Sequence, residues 1–107
     1  MPPISRIEKL PRQPGKVTGV ATTFPFLTVD QGAAMRVGVS EIAPGEVHLD
    51  LPFDEGIFVL DGELEIDGDG ATHTLAAGEF LWMPAGRAIV YRASAPARFL
   101  YMIPSNG

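Results

Sequence analysis

Apolar and polar residues alternate with a period of two over much of the chain from Val17 onward. Runs of this kind occupy residues 35–40 and 47–51, and residues 63–66 resume the pattern. Residues 56–60 are apolar on both faces, which is typical of a strand that is covered on each side. No window shows a sustained apolar stripe with the 3.6-residue period of a helix. The pattern therefore predicts an all-β chain.

Turn signals rich in glycine and proline separate these runs at short intervals. Asp61-Gly62 is a strong turn signal, and residues 67–70 have the composition of a second hairpin turn. About eight short strands at this spacing indicate a β-sandwich or a β-barrel. The later strands are predicted at residues 71–75, 79–83, 88–93 and 97–103.

The N-terminal stretch, residues 1–16, lacks this alternation. Residues 1–16 contain Pro2, Pro3, Pro11 and Pro14, so we predict an irregular segment with at most a short turn around residues 4–10. Residues 17–107 are then predicted to form one domain, since a chain of 107 residues is too short for two good cores.

Composition narrows the possible partners. The net charge of -5 and the dispersed basic residues argue against nucleic acid, which needs clustered Lys and Arg. The chain has no cysteine, which excludes disulfides, thiolate nucleophiles and Cys-based zinc sites. The first residues lack the apolar run of a signal peptide, and no segment approaches membrane-spanning length. We therefore expect a soluble cytoplasmic protein without a membrane partner.

Two stretches resemble the paired motifs of the cupin superfamily. In the first, Pro44-Gly45 is followed by His48-x-Asp50, then Glu55 after four residues and Gly62 after six more, with Asp50 in place of the family's second His. In the second, Gly78 is followed after five residues by Pro84-x-Gly86. The family's last metal-binding His would then stand at Ile89. The resemblance implies a cupin double-stranded β-helix, that is, a jelly-roll barrel of the RmlC-like type.

A closer resemblance is to the EutQ-like branch of cupins, which is linked to ethanolamine utilisation. It is carried by residues 53–55, 59–64, 78–80, 84–86 and 97–101. That branch also lacks the full set of His ligands, and the resemblance implies an acetate-kinase activity as one possibility. The resemblance does not include the long N-terminal extension of EutQ proper, so we expect a EutQ-like relative rather than EutQ itself.

The cupin motif places the candidate site around His48, Asp50 and Glu55. The side chains of His48 and Asp50 point to the same face of a strand because they are two residues apart. Together with Glu55 they would make a set of nitrogen and oxygen ligands suited to Mn, Fe, Ni or Zn. Ile89 removes the fourth donor, so we expect a degenerate site without metal, and a divalent metal is the alternative.

Without a metal, His48 and Glu55 could act as a general acid–base couple and are the predicted catalytic residues. His48 and Asp50 could also simply be polar residues that line a partly wet pocket. The residues predicted to bind a ligand are Asp50, Tyr91, Arg36 and Trp82. Tyr91 shares a strand face with Ile89, and Arg36 suits a carboxylate- or phosphate-bearing ligand.

Three functions follow as hypotheses. The first is a cupin that binds a small polar organic molecule in its barrel. The second is a metal-dependent enzyme of the isomerase, decarboxylase or dioxygenase type that uses His48, Asp50 and Glu55. The third is acetate-kinase-like activity, which rests on the resemblance. We also expect a homodimer, because the strands carry more apolar surface than one small barrel covers, notably at Phe58, Leu60, Trp82 and Met102.

Overall fold

A computed structural model describes Ile4, Arg6 and residues 14–105 of the chain. These residues form ten strands and one turn of 3-10 helix, Val29–Gln31. The strands are β1 Val17–Thr18, β2 Ala21–Leu27, β3 Met35–Ile42, β4 Gly45–Asp50, β5 Glu55–Asp61, β6 Glu63–Gly68, β7 Ala71–Ala76, β8 Phe80–Met83, β9 Ala88–Ala93 and β10 Ala97–Pro104. The described part of the chain contains no helix that is long and apolar enough to cross a membrane.

The strands form two antiparallel sheets. The larger has six strands in the order β1-β2-β3-β10-β5-β8, and the smaller has four in the order β4-β9-β6-β7. Strands that follow each other in the chain often lie in different sheets, as β4 and β5 do. Most contacts are therefore between residues far apart in sequence, which is the arrangement of a jelly-roll barrel.

The core lies between the two sheets. The six-stranded sheet contributes Ile57 and Val59 of β5, and the four-stranded sheet contributes Leu64 and Ile66 of β6. All four side chains are fully buried. Each pair is two residues apart, so both members point to the same face of their strand. For residues 63–66, the alternation seen in the sequence is therefore the alternation between the core and the outer face of the sheet.

Glycines at the turns let the strands reverse. Gly62, between β5 and β6, has φ +82°, and a Cβ there would lie 2.8 Å from the carbonyl oxygen of Pro96. A side chain at this position would meet both backbone strain and a backbone clash. Asp69, with φ 54°, makes the corresponding reversal between β6 and β7. Both turns lie where the sequence predicts them.

The predicted strands from β3 onward correspond to observed strands, and the all-β prediction is confirmed. Strand β2, which contains Phe24-Pro25-Phe26, was not predicted individually. Its pairing with β3 shifts register between Pro25 and Leu27, which is consistent with a proline that has no N–H to donate to the ladder. Most of the predicted irregular segment of residues 1–16 lies outside the described residues.

Candidate functional site

A cavity of about 530 Å³ opens between the two sheets. It is lined by inward-facing residues of β2, β3, β5 and β10 on one side and of β4 and β9 on the other. Most of its wall is apolar, and a few polar side chains project into it. This combination is typical of sites for small organic molecules, in which few polar groups set the orientation of the ligand.

Glu55 is the acidic group inside this cavity. It is the first residue of β5 and points to the same face as the buried Ile57, so the strand itself directs the carboxyl group inward. Burial raises its pKa from the ordinary value of 4.5 to about 7, and a hydrogen bond from Tyr91 lowers it by less. Near neutral pH the carboxyl group therefore exists in both protonation states, as a general acid or base requires.

Tyr91 meets Glu55 from the opposite sheet. It lies on β9, is only 4% exposed, and its hydroxyl group donates to Glu55 Oε2 over 3.4 Å. Its ring stacks on Phe99 with the ring centroids 5.5 Å apart. Burial, together with the charge of Glu55, raises the pKa of Tyr91 well above 10. The phenol therefore stays protonated. When Glu55 is ionised, the Tyr91 hydroxyl group is the donor of this hydrogen bond and the carboxylate is the acceptor.

Arg36 is one of two basic residues in the described lining of the cavity, the other being the exposed Lys16. Arg36 lies on β3, its Nη2 donates to the carbonyl oxygen of Pro104 over 3.3 Å, and its guanidinium group lies 5.0 Å from the centre of the Phe53 ring. Its Nε is buried and has no hydrogen-bond partner among the described residues. The head group is thus held in place while one of its N–H donors is left unpaired.

Tyr101 and Ser40 also line the cavity, and the sequence analysis did not single them out. Tyr101 lies opposite Gly38 on β3, where a Cβ would overlap the phenol ring. Burial raises the pKa of Tyr101. The signal that could have identified Tyr101 is its position two residues from the inward-facing Phe99 and Ile103.

His48 is not part of the cavity wall. Val47 of β4 points inward and is 4% exposed, as is Leu51 just beyond the strand, so His48 between them points outward. Its side chain is 72% exposed, and its Nε2 lies 3.2 Å from Glu46 Oε2. Asp50 is also exposed, at the end of β4, and borders the cavity. The structure therefore does not bring the three predicted metal ligands together.

The physical reason is the register of β4. His48 and Asp50 do share a face, as predicted, but the three apolar residues that alternate with them, Val47, Leu49 and Leu51, occupy the inner face. Exchanging the two faces would expose these residues and bury the charged ones, at a cost of several kcal/mol. The hydrophobic pattern thus determines which face is inside and overrides the expectation from the cupin motif.

The residues present do not fit a metal ion of the cupin type. No group of three or more His, Asp or Glu side chains among the described residues is arranged to hold one. Ile89 on β9 is 3% exposed and contributes to the core, so the position of the missing ligand is filled by an apolar side chain. Glu55 is left with a phenol rather than an imidazole as its neighbour.

Trp82, a predicted ligand-binding residue, lies away from the cavity. It is on β8 at the edge of the six-stranded sheet and is 54% exposed, while its neighbour Met83 is 5% exposed and points into the core. Arg36 and Tyr91 do line the cavity, as does Asp50 at its border. Of the predicted ligand-binding residues, only Trp82 lies outside it.

Comparison with known proteins identifies relatives over most of the chain. Residues 4–106 match the family described as "Ethanolamine utilisation protein EutQ". The chain is 31% identical to the Escherichia coli protein named acetate kinase EutQ over 82 residues, covering 76% of this chain and 35% of that protein. The crystal structure of an ethanolamine utilisation protein Q from Salmonella typhimurium superimposes with a TM-score of 0.77 at 26% identity, covering 81% of this chain and 71% of that one.

A further comparison concerns the fold alone. A Cupin_2 domain of a transcriptional regulator from Enterobacter cloacae superimposes with a TM-score of 0.70 at 22% identity, covering 79% of this chain and 96% of that domain. The predicted cupin barrel is thereby confirmed. The chain spans well under two thirds of the length of the curated relatives that it matches, 35% of it in the case of the E. coli protein.

Proposed function

This chain belongs to the EutQ family of ethanolamine utilisation proteins, and we propose that it binds a small polar organic molecule in the cavity of its cupin barrel. The observation that carries the proposal is the pair of Glu55 and Tyr91, which meet across the two sheets inside an otherwise largely apolar cavity. Holding a carboxyl group in such a place costs free energy unless partners offset it. A ligand that hydrogen-bonds to Glu55 would supply the offset.

Arg36 indicates what else the ligand carries. A guanidinium group pairs best with a carboxylate or a phosphate. Arg36 and the protonatable Glu55 both line the same cavity. The ligand that fits both is a small organic acid with an anionic group for Arg36 and a hydroxyl or carbonyl oxygen for Glu55.

The test is a thermal-shift screen of small hydroxy acids, oxo acids and sugar acids on the purified chain. Binding to the native state raises the melting temperature, by an amount that grows with ligand concentration. We expect at least one such acid to stabilise the wild type and to have a much smaller effect on the Arg36→Met and Glu55→Gln variants. Arg98→Met is the matched control, because Arg98 lies on the same sheet but pairs with Asp61 over 2.9 Å outside the cavity. A screen in which no acid shifts the wild type would refute the proposal.

Acetate-kinase-like activity is the second candidate. Its support is the name of the E. coli relative together with Arg36, which suits the carboxylate of acetate. We expect this activity, if the chain has it, to appear as acetyl phosphate formed from ATP, Mg²⁺ and acetate and to be lost in Arg36→Met. No acetyl phosphate with the wild type would dismiss this candidate without affecting ligand binding.

The metal-dependent alternative has less support, because His48 faces away from Glu55. Elemental analysis of protein purified without chelators decides it. We expect no stoichiometric metal in either the wild type or the Glu55→Gln variant. Near-stoichiometric metal in the wild type that is lost in the variant would show that Glu55 is a ligand, and would restore this alternative.

A cytoplasmic location remains a prediction from the sequence.

A further inference from the structure

Two pairs of polar side chains line the cavity, each consisting of a tyrosine and a group that carries or acquires charge. In the first pair, the hydroxyl group of Tyr91 lies 3.4 Å from Glu55 Oε2. In the second, the hydroxyl group of Tyr101 lies over Gly38, two residues from Arg36 on β3. Burial is the main cause of the raised pKa of Tyr101, and the charges of Glu55 and Arg36 act on it in opposite directions. Tyr101 is therefore within electrostatic reach of both groups.

The strand register sets the distance between the acidic and the basic group. Arg36 of β3 pairs with Ile103 of β10. On the other side of β10, Met102 pairs with Gly56 of β5, so Glu55 lies level with Ile103. Arg36 and Glu55 therefore lie in one row, with Cα atoms about 10 Å apart across two strand spacings. Because both side chains line the cavity, a short acid can reach from one head group to the other.

Glu55 and Tyr91 together have the properties needed to remove a proton from carbon next to a carbonyl group. Burial raises the pKa of Glu55 to about 7, so its carboxylate form is present near neutral pH and can accept a proton. The hydroxyl group of Tyr91 stays protonated and is available as a donor. A carboxylate base and a tyrosine donor in apolar surroundings are the groups that such a reaction requires.

We propose that the cavity catalyses the keto–enol isomerisation of a 2-oxo acid, with Glu55 moving one proton between C3 and the carbonyl oxygen. The inference rests on the proposed function, since the acid must bind in the cavity. Arg36, with the hydroxyl group of Tyr101 beside it, binds the carboxylate, so that C3 is directed toward Glu55.

The reaction needs no second reactant. The carboxylate of Glu55 takes a proton from C3, the electron pair of the broken C–H bond forms the C2–C3 double bond, and the carbonyl electron pair moves to the oxygen. Glu55 then gives its proton to that oxygen, which completes the enol and restores the carboxylate. The reverse reaction returns a proton to C3, so in D2O the substrate acquires deuterium at C3.

Tyr91 stabilises the enolate between these two steps. While Glu55 is ionised, the Tyr91 hydroxyl group donates to it over 3.4 Å, which is a long hydrogen bond. When Glu55 accepts the proton, the negative charge moves to the substrate oxygen. The hydroxyl hydrogen of Tyr91 can then rotate from the neutral carboxyl group to the enolate, where the charge has developed.

The remaining wall of the cavity indicates the side chain of the acid. Val47, Leu49 and Phe99 are among the apolar residues that line it, and its volume of about 530 Å³ exceeds what a short acid fills. An apolar extension beyond C3 would therefore be buried against this wall. Burial of one methylene group contributes about 0.8 kcal/mol, so each methylene added from 2-oxobutanoate to 2-oxohexanoate should tighten binding about fourfold.

The test is deuterium incorporation at C3 of 2-oxohexanoate in D2O, followed by proton NMR with the whole chain. Calorimetry first determines the acid concentration that saturates each protein, and circular dichroism verifies that each variant is folded. We expect the wild type to exchange C3 faster than protein-free buffer, and Glu55→Gln to exchange it no faster than buffer. Tyr91→Phe should slow the exchange about a hundredfold. Glu63→Gln is the matched control and should retain the wild-type rate, because Glu63 is exposed on β6.

Three outcomes would count against the inference, and they are distinguishable. Binding of 2-oxohexanoate without exchange would overturn the isomerisation and leave the proposed ligand binding intact. Exchange that is equally fast in the wild type and in Glu55→Gln would overturn the assignment of Glu55 as the base. Absence of binding by any acid would overturn the proposed function and this inference together.

Discussion

The buried carboxyl group of Glu55 should make the protein less stable as the pH rises. This pH dependence is opposite in sign to the one that most acidic residues contribute. Its pKa is raised from 4.5 to about 7 in the folded chain, mainly by burial. Between these two pH values the unfolded chain has lost the proton and the folded chain still holds it. The free energy of unfolding therefore falls by about 1.4 kcal/mol for each unit that the pH rises through this window.

The Glu55→Gln variant removes this dependence and keeps the shape of the side chain. Over the 2.5 units between 4.5 and 7, the loss in the wild type amounts to at most about 3.5 kcal/mol. At pH 4.5 both side chains are neutral, so the two proteins should have similar stability. At pH 8 the variant should be the more stable protein by at most about 3.5 kcal/mol, because amide burial carries no ionisation cost.

The assay is urea unfolding followed by far-ultraviolet circular dichroism, at one protein concentration and at each pH unit from 4 to about 8, where the deprotonation of Glu55 is close to complete in the folded chain as well. The difference between the wild type and the variant isolates Glu55 from the other titrating groups. Glu63→Gln is the matched control, since Glu63 is exposed on β6, and its difference from the wild type should not change across the window. Parallel pH profiles for the wild type and Glu55→Gln would refute the reasoning.

Three further predictions concern the surroundings of the site and the ion pairs of Arg92 on the four-stranded sheet. Tyr91→Phe removes the hydroxyl group that favours the carboxylate form of Glu55, so the pKa of Glu55 should rise further and the end of the stability decline should move to higher pH in the same urea assay. Gly38→Ala should lower the free energy of unfolding by about 1–3 kcal/mol, because the new Cβ would overlap the ring of Tyr101; an unchanged denaturation midpoint would contradict this. Arg92→Met should lower the melting temperature at low salt and have less effect at high salt, since its three carboxylate partners then repel one another with less force; an effect that is independent of salt would show that Arg92 acts through packing.

Most of the fold could be predicted from the sequence because the strands are amphipathic and the turns have strong signals. The alternation in residues 47–51 and 63–66 and the glycine at position 62 correspond directly to strands and a turn in the structure. Strand β2 was harder to predict, since Pro25 is unfavourable in a strand and Phe24 and Phe26 give no clear alternation.

The candidate site was predictable only in part. Glu55 follows from the motif, Tyr91 from sharing a strand face with Ile89, and Arg36 from the affinity of a guanidinium group for anions, and all three line the cavity. His48 was placed by the spacing of the motif, whereas the apolar residues that flank His48 in this chain set the register of β4. Spacing alone cannot resolve that conflict, because it fixes which residues share a face but not which face is buried.

Trp82 illustrates a second limit of the sequence. Its strand is apolar at every position from Phe80 to Met83, so periodicity cannot tell the inner face from the outer one. The structure resolves this through the pairing of β8 with β5, which sets Met83 beside the inward-facing Glu55 and Trp82 beside Gly56. Trp82 was accordingly predicted both as a ligand-binding residue and as apolar surface that the barrel does not cover, and the structure places it outside the cavity.

The measurement that tests the central claim most directly is isothermal titration calorimetry of the wild type with the best acid from the thermal-shift screen, at pH 6 and pH 8. The account predicts saturable binding to the wild type, binding weakened at least about tenfold in Arg36→Met, and an affinity that changes between the two pH values in the wild type but not in Glu55→Gln. Binding that is equally strong in all three proteins, or no binding at all, would contradict the claim that this cavity holds a small organic acid.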